Sequence, residues 1–368
     1  MIDIKKIPIS QYSLWDKTTK ARTLLSCTIE LTARCNNNCP HCYINISDNN
    51  SSACKNELSF NKIKKIIDEA ISLGAIWFLL TGGEPLLRND FCDIYTYLKK
   101  KGTLVSIFTN ASLISDKHIE LFKKMPPRDI EISIYGVTAQ THKSATRSNT
   151  FDNTMKGINK LINASIPVSL KTTVFRSNYK EFHDIAKFCK ANSKSAFRFD
   201  PFLNLRIDRD IRKNKRIIQE RLTPDEIIKL EQRDPARCSA IKKKCHEIES
   251  DKNHEYDPGQ IFHCKAGINS CYITYDGIFK LCSSLVNKQC VFDLKKGSLA
   301  DAWNNFAPQV MSLKSTKDSF KNSCGTCNII SLCPWCPAFS DLETGEMDNQ
   351  IAYFCELAKK RISEFYKP

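Results

Sequence analysis

Cys35-Asn36-Asn37-Asn38-Cys39-Pro40-His41-Cys42-Tyr43 is the stretch on which the reading of this chain turns. Its three cysteines have the spacing C-x3-C-x2-C and directly follow an apolar run, Cys27–Leu31. Three thiolates on one tight loop can hold three irons of a cubane and leave the fourth iron with an open coordination position. A closed four-thiolate site passes electrons or holds structure, whereas an open position can bind a ligand. A partial zinc site is the alternative use of the same residues.

Working outward, Cys27–Leu31 is the first of six short strand-like stretches. The others are Ile76–Thr81, Leu104–Thr109, Ile130–Tyr135, Val168–Val174 and Phe197–Pro201, all apolar and rich in β-branched or aromatic residues. Helical patterns separate them. Ser59 is a candidate N-cap ahead of Ile63, Ile66, Ile67, Ala70 and Ile71, and Gly74 closes that helix. Asn89–Lys100, Asp116–Lys124, Phe151–Asn163 and Lys180–Ala191 repeat the pattern. Repeated βα units over residues 1–204 predict an α/β fold whose parallel sheet curls into a full or partial barrel, with the active site at the C-terminal strand ends. Residues 205–255 are densely charged and contain the helix-start signal Leu222-Thr223-Pro224-Asp225-Glu226, which predicts a helical linker. Cysteine density rises in residues 256–368, which predicts a small cysteine-rich domain.

The bulk properties suit one large domain plus a smaller one, or two medium ones: 368 residues, 42% hydrophobic, no evident repeat. No apolar run reaches the ~20 residues of a bilayer span, and Met1–Lys6 lacks a signal-peptide core. A soluble cytoplasmic protein with no membrane partner is expected. The net charge of +15 is read as lysines on solvated faces, so nucleic acid is not the expected partner. In a reducing compartment, the 18 cysteines point to metal rather than disulfides.

The C-x3-C-x2-C loop after a first strand, together with Thr81-Gly82-Gly83-Glu84-Pro85 at the end of the second, resembles the radical S-adenosylmethionine (radical SAM) superfamily. The resemblance implies a partial (β/α)6 TIM-like barrel in which Cys35, Cys39 and Cys42 hold a [4Fe-4S] cluster. The open iron there binds S-adenosyl-L-methionine, and one electron cleaves it to a 5′-deoxyadenosyl radical. The paired glycines would let backbone approach the ligand closely, and Glu84 would accept from its methionyl amino group. By the same resemblance the cofactor-binding set is Tyr43, Gly82, Gly83, Glu84, Pro85, Asn110, Ser133 and Arg147. Arg147 lies in an H-x4-R stretch with His142, and a bidentate guanidinium suits a carboxylate. Lys171 on the fifth strand is a further candidate.

The tail carries Cys264, Cys271 and Cys282, then Cys324, Cys327, Cys333 and Cys336, then Cys355. Zinc ribbons are one use of such a set. The order, with Tyr275-Asp276-Gly277-Ile278 as a hairpin turn, resembles the SPASM extension of radical SAM enzymes, one residue short between Cys333 and Cys336. Lys296–Asn304 is similar to the linker helix between the two cluster halves. The resemblance implies two auxiliary clusters, one on Cys264, Cys271, Cys282 and Cys336 and one on Cys324, Cys327, Cys333 and Cys355. With four thiolates each, both would be closed and would serve electron transfer; the competing reading makes Cys271, which lies outside the seven-cysteine signature, a spectator and leaves one auxiliary iron open for substrate. Cys27, Cys54, Cys92, Cys189, Cys238, Cys245 and Cys290 are expected to be core or surface thiols.

The expected activity is modification of a peptide or protein by hydrogen abstraction, with an electron donor such as flavodoxin or ferredoxin. A non-peptide substrate (a cofactor, tetrapyrrole or carbohydrate) is the second reading, and a non-catalytic iron–sulfur carrier or scaffold the third. The intact open-site loop argues against the last. Sulfatase maturation is disfavoured: Ser283 follows Cys282 where those enzymes place a basic Asp, and a serine does not take that proton unaided. About 25 residues precede the first strand, too few for a folded leader-binding domain. The sequence names no catalytic acid or base.

Overall fold

The computed structural model describes residues 13–250 and 257–366. The six expected strands are present: β1 (Ser26–Thr32), β2 (Trp77–Gly82), β3 (Leu104–Thr109), β4 (Asp129–Ser133), β5 (Val168–Thr173) and β6 (Arg198–Asp200). They pair in parallel, in sequence order. Cys27, Ile29 and Leu31 of β1, Phe78 and Leu80 of β2, Val105 and Ile107 of β3, and Ile130 and Ile132 of β4 are buried in one core with helical residues such as Ile63, Ile67, Ile94 and Tyr95. The alternate residues are polar on β1 (Ser26, Thr28, Glu30) and β4 (Asp129, Glu131, Ser133) and mixed on β2 and β3, where Trp77, Leu79 and Phe108 join Ser106. A parallel strand buried on both faces reads as a continuous apolar run. The alternation on β1 and β4 therefore marks a partly polar inner face, which lines a cavity in the barrel.

The helices follow the expected signals with small shifts. Ser59 caps Phe60–Ser72 by accepting from Lys62 N–H at 3.4 Å, and Gly74 takes a φ of 107° just beyond. The next helix starts at Phe91 rather than Asn89. Asp90 cannot cap it with its side chain because both its oxygens are held by Arg88, at 2.6 and 2.8 Å.

Two features depart from the expectation. The barrel does not end at β1. Strands β7 (Ser270–Ile273), β8 (Ile278–Lys280) and β9 (Phe292–Asp293) continue the same sheet, and β7 lies parallel to β1 with Cys27 opposite Cys271. The hairpin between β7 and β8 turns at Gly277, φ 89°, as its sequence indicates. Residues 205–255 are also more than a linker, as far as Ser250; residues 251–255 lie outside the described part. Helices Ile211–Glu220, Pro224–Arg233 and Pro235–Ser250 are present, the second with Thr223 and Glu226 closing a capping box. Charged outer faces conceal an inner one. Leu222, Ile227, Ile228 and Leu230 pack with Val174 and Phe199 of the barrel and with Leu357 and Phe365 of the last helix, Ala352–Phe365. No helix of the described residues is long and apolar enough to cross a membrane.

Gly157 offers a check on this packing. It sits inside helix Phe151–Asn163, where alanine normally gains about 1 kcal/mol. A Cβ there would stand 2.1 Å from the Ala111 carbonyl oxygen, in the loop after β3. Gly157→Ala is therefore expected to reverse the usual sign and destabilise the chain by about 1–3 kcal/mol, as overpacking does, read from the midpoint of denaturant unfolding.

Candidate active site

Backbone contacts fix the three-cysteine loop first. Gly83 N–H donates to Thr32 O at 2.7 Å and Glu84 N–H to Arg34 O at 2.8 Å, so the turn after β2 lies directly on the chain leaving β1. A Cβ on Gly82 would come within 2.1 Å of Thr32 O, and one on Gly83 within 2.3 Å of Arg34 O. The close approach that requires glycine is thus to the protein's own backbone, whereas the resemblance implies one to a ligand. Further clamps hold the loop from other elements. Asn110 Nδ2 donates to Asn36 Oδ1 at 2.9 Å, and Asn36 Nδ2 donates to Ser112 Oγ at 2.8 Å. Asn38 N–H donates to Thr146 O at 2.9 Å. Arg206, 2% exposed, donates to Cys42 O at 2.9 Å and Asn45 Oδ1 at 2.6 Å.

Glu84 is wholly buried. Its Oε1 accepts from Thr109 Oγ1 at 2.7 Å and from Leu86 N–H at 3.1 Å, and its Oε2 accepts from Asn110 N–H at 2.7 Å. The carboxylate ties the turn after β2 to the end of β3, so its visible work is bracing. Asn110 is similarly engaged, with Oδ1 accepting from the Ser112 hydroxyl at 2.6 Å. Ser133 lies half-buried at the end of β4, and its hydroxyl meets that of Tyr135. Arg147 is exposed on the rim with a left-handed φ of 52°, following the helix that ends at Thr146. Lys171 is paired to Glu131, which also pairs with Arg198.

Burial dominates the electrostatics. It pushes the Cys35 thiol up to about 12, with the Glu84 charge adding to it, and drives Cys39 and Cys42 upward as well. Three half-buried thiols grouped on one loop, with N–H donors beside them, suit thiolates neutralised by iron. His41 is held neutral by burial, its pKa lowered to about 3, and its Nδ1 has no partner. Its ring packs against Phe175 at 4.2 Å and Tyr135 at 4.6 Å. Among the described residues no three His, Cys, Asp or Glu side chains stand close enough to share one ion. Zinc needs its sulfurs within ~4 Å of one another, whereas a cubane binds each thiolate to a different iron. The three-thiol loop fits a [4Fe-4S] cluster in that respect.

The tail cysteines form two groups. Cys264, Cys282 and Cys336 feel one another's charge, and so do Cys324, Cys327, Cys333 and Cys355. Cys271 stands apart from both groups. It is 2% exposed, belongs to the apolar core, and points at Cys27 with the sulfurs 3.7 Å apart. Residue alternation along β7 decides this, because Cys271 shares the helix-packed side of its strand partner Cys27. The first group therefore has three thiols. Cys290 is also spoken for, buried against Met347 Sδ at 3.6 Å.

The resemblance puts Tyr43 at the cofactor. Its hydroxyl instead meets the hydroxyls of Tyr272 and Ser283, so the residue after Cys42 touches the residue after Cys282. Around this contact lies a buried polar group that no motif announces. Tyr272 donates to Glu30 Oε2 at 3.2 Å, and Lys280 Nζ donates to Ser283 O at 2.7 Å and stands 5.0 Å over the Tyr272 ring. Burial pushes Glu30 up to about 7 despite nearby Lys280. Arg206 escapes a reading of the sequence because it stands in a stretch whose charge makes it look solvated. The alternation of polar residues along β1 is the available signal for Glu30.

Residues 29–189 match the Radical SAM superfamily. The three-cysteine loop and strands β2 to β5 lie inside that matched part. One curated relative is matched almost end to end: the AdoMet-dependent heme synthase of Methanosarcina barkeri, 27% identical over 341 residues, which are 88% of this chain and 94% of that protein. The antilisterial bacteriocin subtilosin biosynthesis protein AlbA of Bacillus subtilis is 32% identical over 178 residues, 48% of this chain and 39% of AlbA. Among solved structures, Streptococcus suis SuiB bound to S-adenosylmethionine superposes with a TM-score of 0.65 at 15% identity, over 90% of this chain and 77% of SuiB. Native anSMEcpe with bound AdoMet gives 0.64 at 14% identity, over 93% of this chain and 96% of that one. At such identities the likeness is one of fold.

Two outcomes test this geometry. Cys271→Ala should leave iron per chain unchanged after anaerobic reconstitution, whereas Cys282→Ala should lower it; equal losses would return Cys271 to the ligand set. Glu30 and Glu84 both rise from the ordinary 4.5 to about 7 through burial. The folded state then holds these protons more tightly than the unfolded one. That stabilisation is fully present below pH 4.5 and is lost by about pH 7. The unfolding free energy of the apo chain should fall across this window, and Glu30→Gln should flatten the fall.

Proposed function

We propose that this radical SAM enzyme modifies a peptide or protein, and that the substrate presents a donor group to an auxiliary centre at Cys264, Cys282 and Cys336. Cys35, Cys39 and Cys42 would hold the [4Fe-4S] cluster that, with S-adenosyl-L-methionine, supplies a 5′-deoxyadenosyl radical for hydrogen abstraction. Cys324, Cys327, Cys333 and Cys355 would hold a closed cluster suited to electron transfer. The observation that carries the substrate reading is the diversion of Cys271 into the core beside Cys27. Three thiols leave one iron of a cubane without a ligand from this group. A cysteine side chain of a peptide is the natural donor for it, and an electron donor protein would drive the cycle. AlbA, a bacteriocin biosynthesis protein, and the fold shared with SuiB bound to its precursor peptide SuiA across 92% of this chain support the same direction.

A second reading, a tetrapyrrole substrate, has its own support in the nearly end-to-end match to the heme synthase. It requires no vacant auxiliary position.

The deciding experiment is EPR of the reconstituted enzyme with and without a short cysteine-containing peptide. A shift of the auxiliary signals in native protein is expected, and the Ser analogue of the peptide should produce none. An unshifted spectrum together with consumption of an iron tetrapyrrole would transfer the enzyme to the second reading. Replacing Cys35, Cys39 and Cys42 together by Ala should abolish 5′-deoxyadenosine formation, followed by chromatography; retained formation would remove the proposed catalytic site.

A further inference from the structure

Helix Ile211–Glu220 has one buried residue, Ile217, which packs with Ala145, Phe175, Leu205 and Leu342. Asn214 and Glu220 are half-buried and bond to Arg206 and Ser177, and the remaining residues face outward. Ile211 and Ile218 are 74% and 51% exposed. Arg212, Lys213, Lys215 and Arg216 are exposed too, and among the described residues none of the four forms a salt bridge. Two acids lie at its start: Asp210, whose carboxylate accepts from Lys213 N–H at 3.0 Å and feels Lys213 and Arg212, and Asp208, which is held by Arg206 and feels Lys213; Lys215 and Arg216 lie beyond them. Arg212 and Arg216 are four apart, Arg212 and Lys215 three apart, Lys213 and Arg216 three apart. Like charges at those spacings repel on a helix surface. A short helix that keeps four mutually repelling cations and two exposed isoleucines has the composition of a docking surface for an acidic partner.

The place of this helix says which partner. Asn214 Oδ1 accepts from Arg206 N–H at 2.9 Å, and the Arg206 guanidinium donates to Cys42 O at 2.9 Å. Ile207 N–H donates to Tyr43 O at 3.1 Å. The basic helix is thus two hydrogen bonds from the three-thiol loop. Its outward face is convex, with one residue sunk in the core, and a peptide needs a groove. The cavity of about 570 Å³ in the barrel is lined elsewhere, by Ser26, Trp77, Asp129 and Arg198 among others at the N-terminal ends of the strands. A membrane surface calls for a broad apolar face, and two isoleucines do not make one.

We infer that helix Ile211–Glu220 is the docking site of an acidic one-electron carrier protein, flavin- or iron–sulfur-bearing, that reduces the cluster at Cys35, Cys39 and Cys42. The inference rests on the cluster assignment proposed above. In the step the carrier gives up one electron and the cluster takes it; no bond forms or breaks. The cations steer the encounter, and Ile211 and Ile218 supply the apolar contact that holds it.

The test uses the reconstituted enzyme, with a flavodoxin as the probe. Reduction by flavodoxin hydroquinone is followed by stopped-flow bleaching of the cluster, and binding of oxidised flavodoxin by calorimetry. In the native enzyme both should weaken as salt rises. Arg212→Glu/Lys213→Glu/Lys215→Glu/Arg216→Glu should slow reduction at least tenfold and weaken binding. Reduction by methyl viologen radical, a small cation, should stay unchanged or become faster. Ile211→Ser/Ile218→Ser, which keeps every charge, should weaken binding with the salt dependence intact, and covers the case in which the charge reversal misfolds. An unchanged flavodoxin rate in the fourfold variant overturns the inference. So does a fourfold variant that keeps that rate but loses binding to an acidic peptide or to phosphatidylglycerol vesicles. Failure of the function itself reads differently: native enzyme reduced by methyl viologen would then make no 5′-deoxyadenosine, whatever the docking result.

Discussion

The contact on which this molecule depends joins the first two strand ends. Thr32 and Arg34 offer their carbonyls to the N–H groups of Gly83 and Glu84, at 2.7 and 2.8 Å. Neither glycine of the pair Gly82-Gly83 can carry a side chain there, because the carbonyl oxygens already occupy the space. Glu84 then turns inward and fastens the same turn to Thr109 and Asn110 on the third strand. Three successive strand ends are locked in this way before any cofactor is considered. The cysteine loop hangs from the lock, and Asn36, Asn38 and Cys42 are each pinned by a different element of the chain.

Rigidity of this kind has a chemical purpose. A loop of three thiols has to be preorganised, because assembling buried thiolates without iron is unfavourable: burial alone drives Cys35 and its neighbours upward. The backbone lock and the amide clamps supply order that the thiols cannot supply themselves. They also explain why motif residues that look like ligand contacts, Glu84 and Asn110, spend their polar atoms on the protein.

Much of the fold was legible because its signals are local. Six apolar strands, the Ser59 and Thr223 caps and the Gly277 turn follow from neighbouring residues, and the structure places each within a few positions. What escaped was non-local. Nothing near Cys271 says that its strand will lie beside Cys27, so counting cysteines put it with the tail thiols, whereas packing places it in the core. Arg206 and the Leu222–Leu230 core were hidden for the converse reason: exposed charges next to them set the local composition, and only the tertiary fold shows which side is inward. Tyr43, Ser283 and Glu30 meet across the join between barrel and tail, and no spacing rule spans that join.

That join has a consequence for how the chain is made. Cys27 and Cys271 are neighbours in the sheet yet 244 positions apart in sequence. A ribosome adding about 5–20 residues per second needs roughly 12–50 s to bring the second after the first. For that interval β1 has an unpaired flank, a row of free N–H and C=O groups of the kind that recruits other chains. The barrel is therefore incomplete as a newborn unit, and its first strand is sealed only when the cysteine-rich tail arrives. Truncation of the tail would expose an adhesive sheet edge as well as remove its cysteines, and slow translation late in the message would prolong the period of risk.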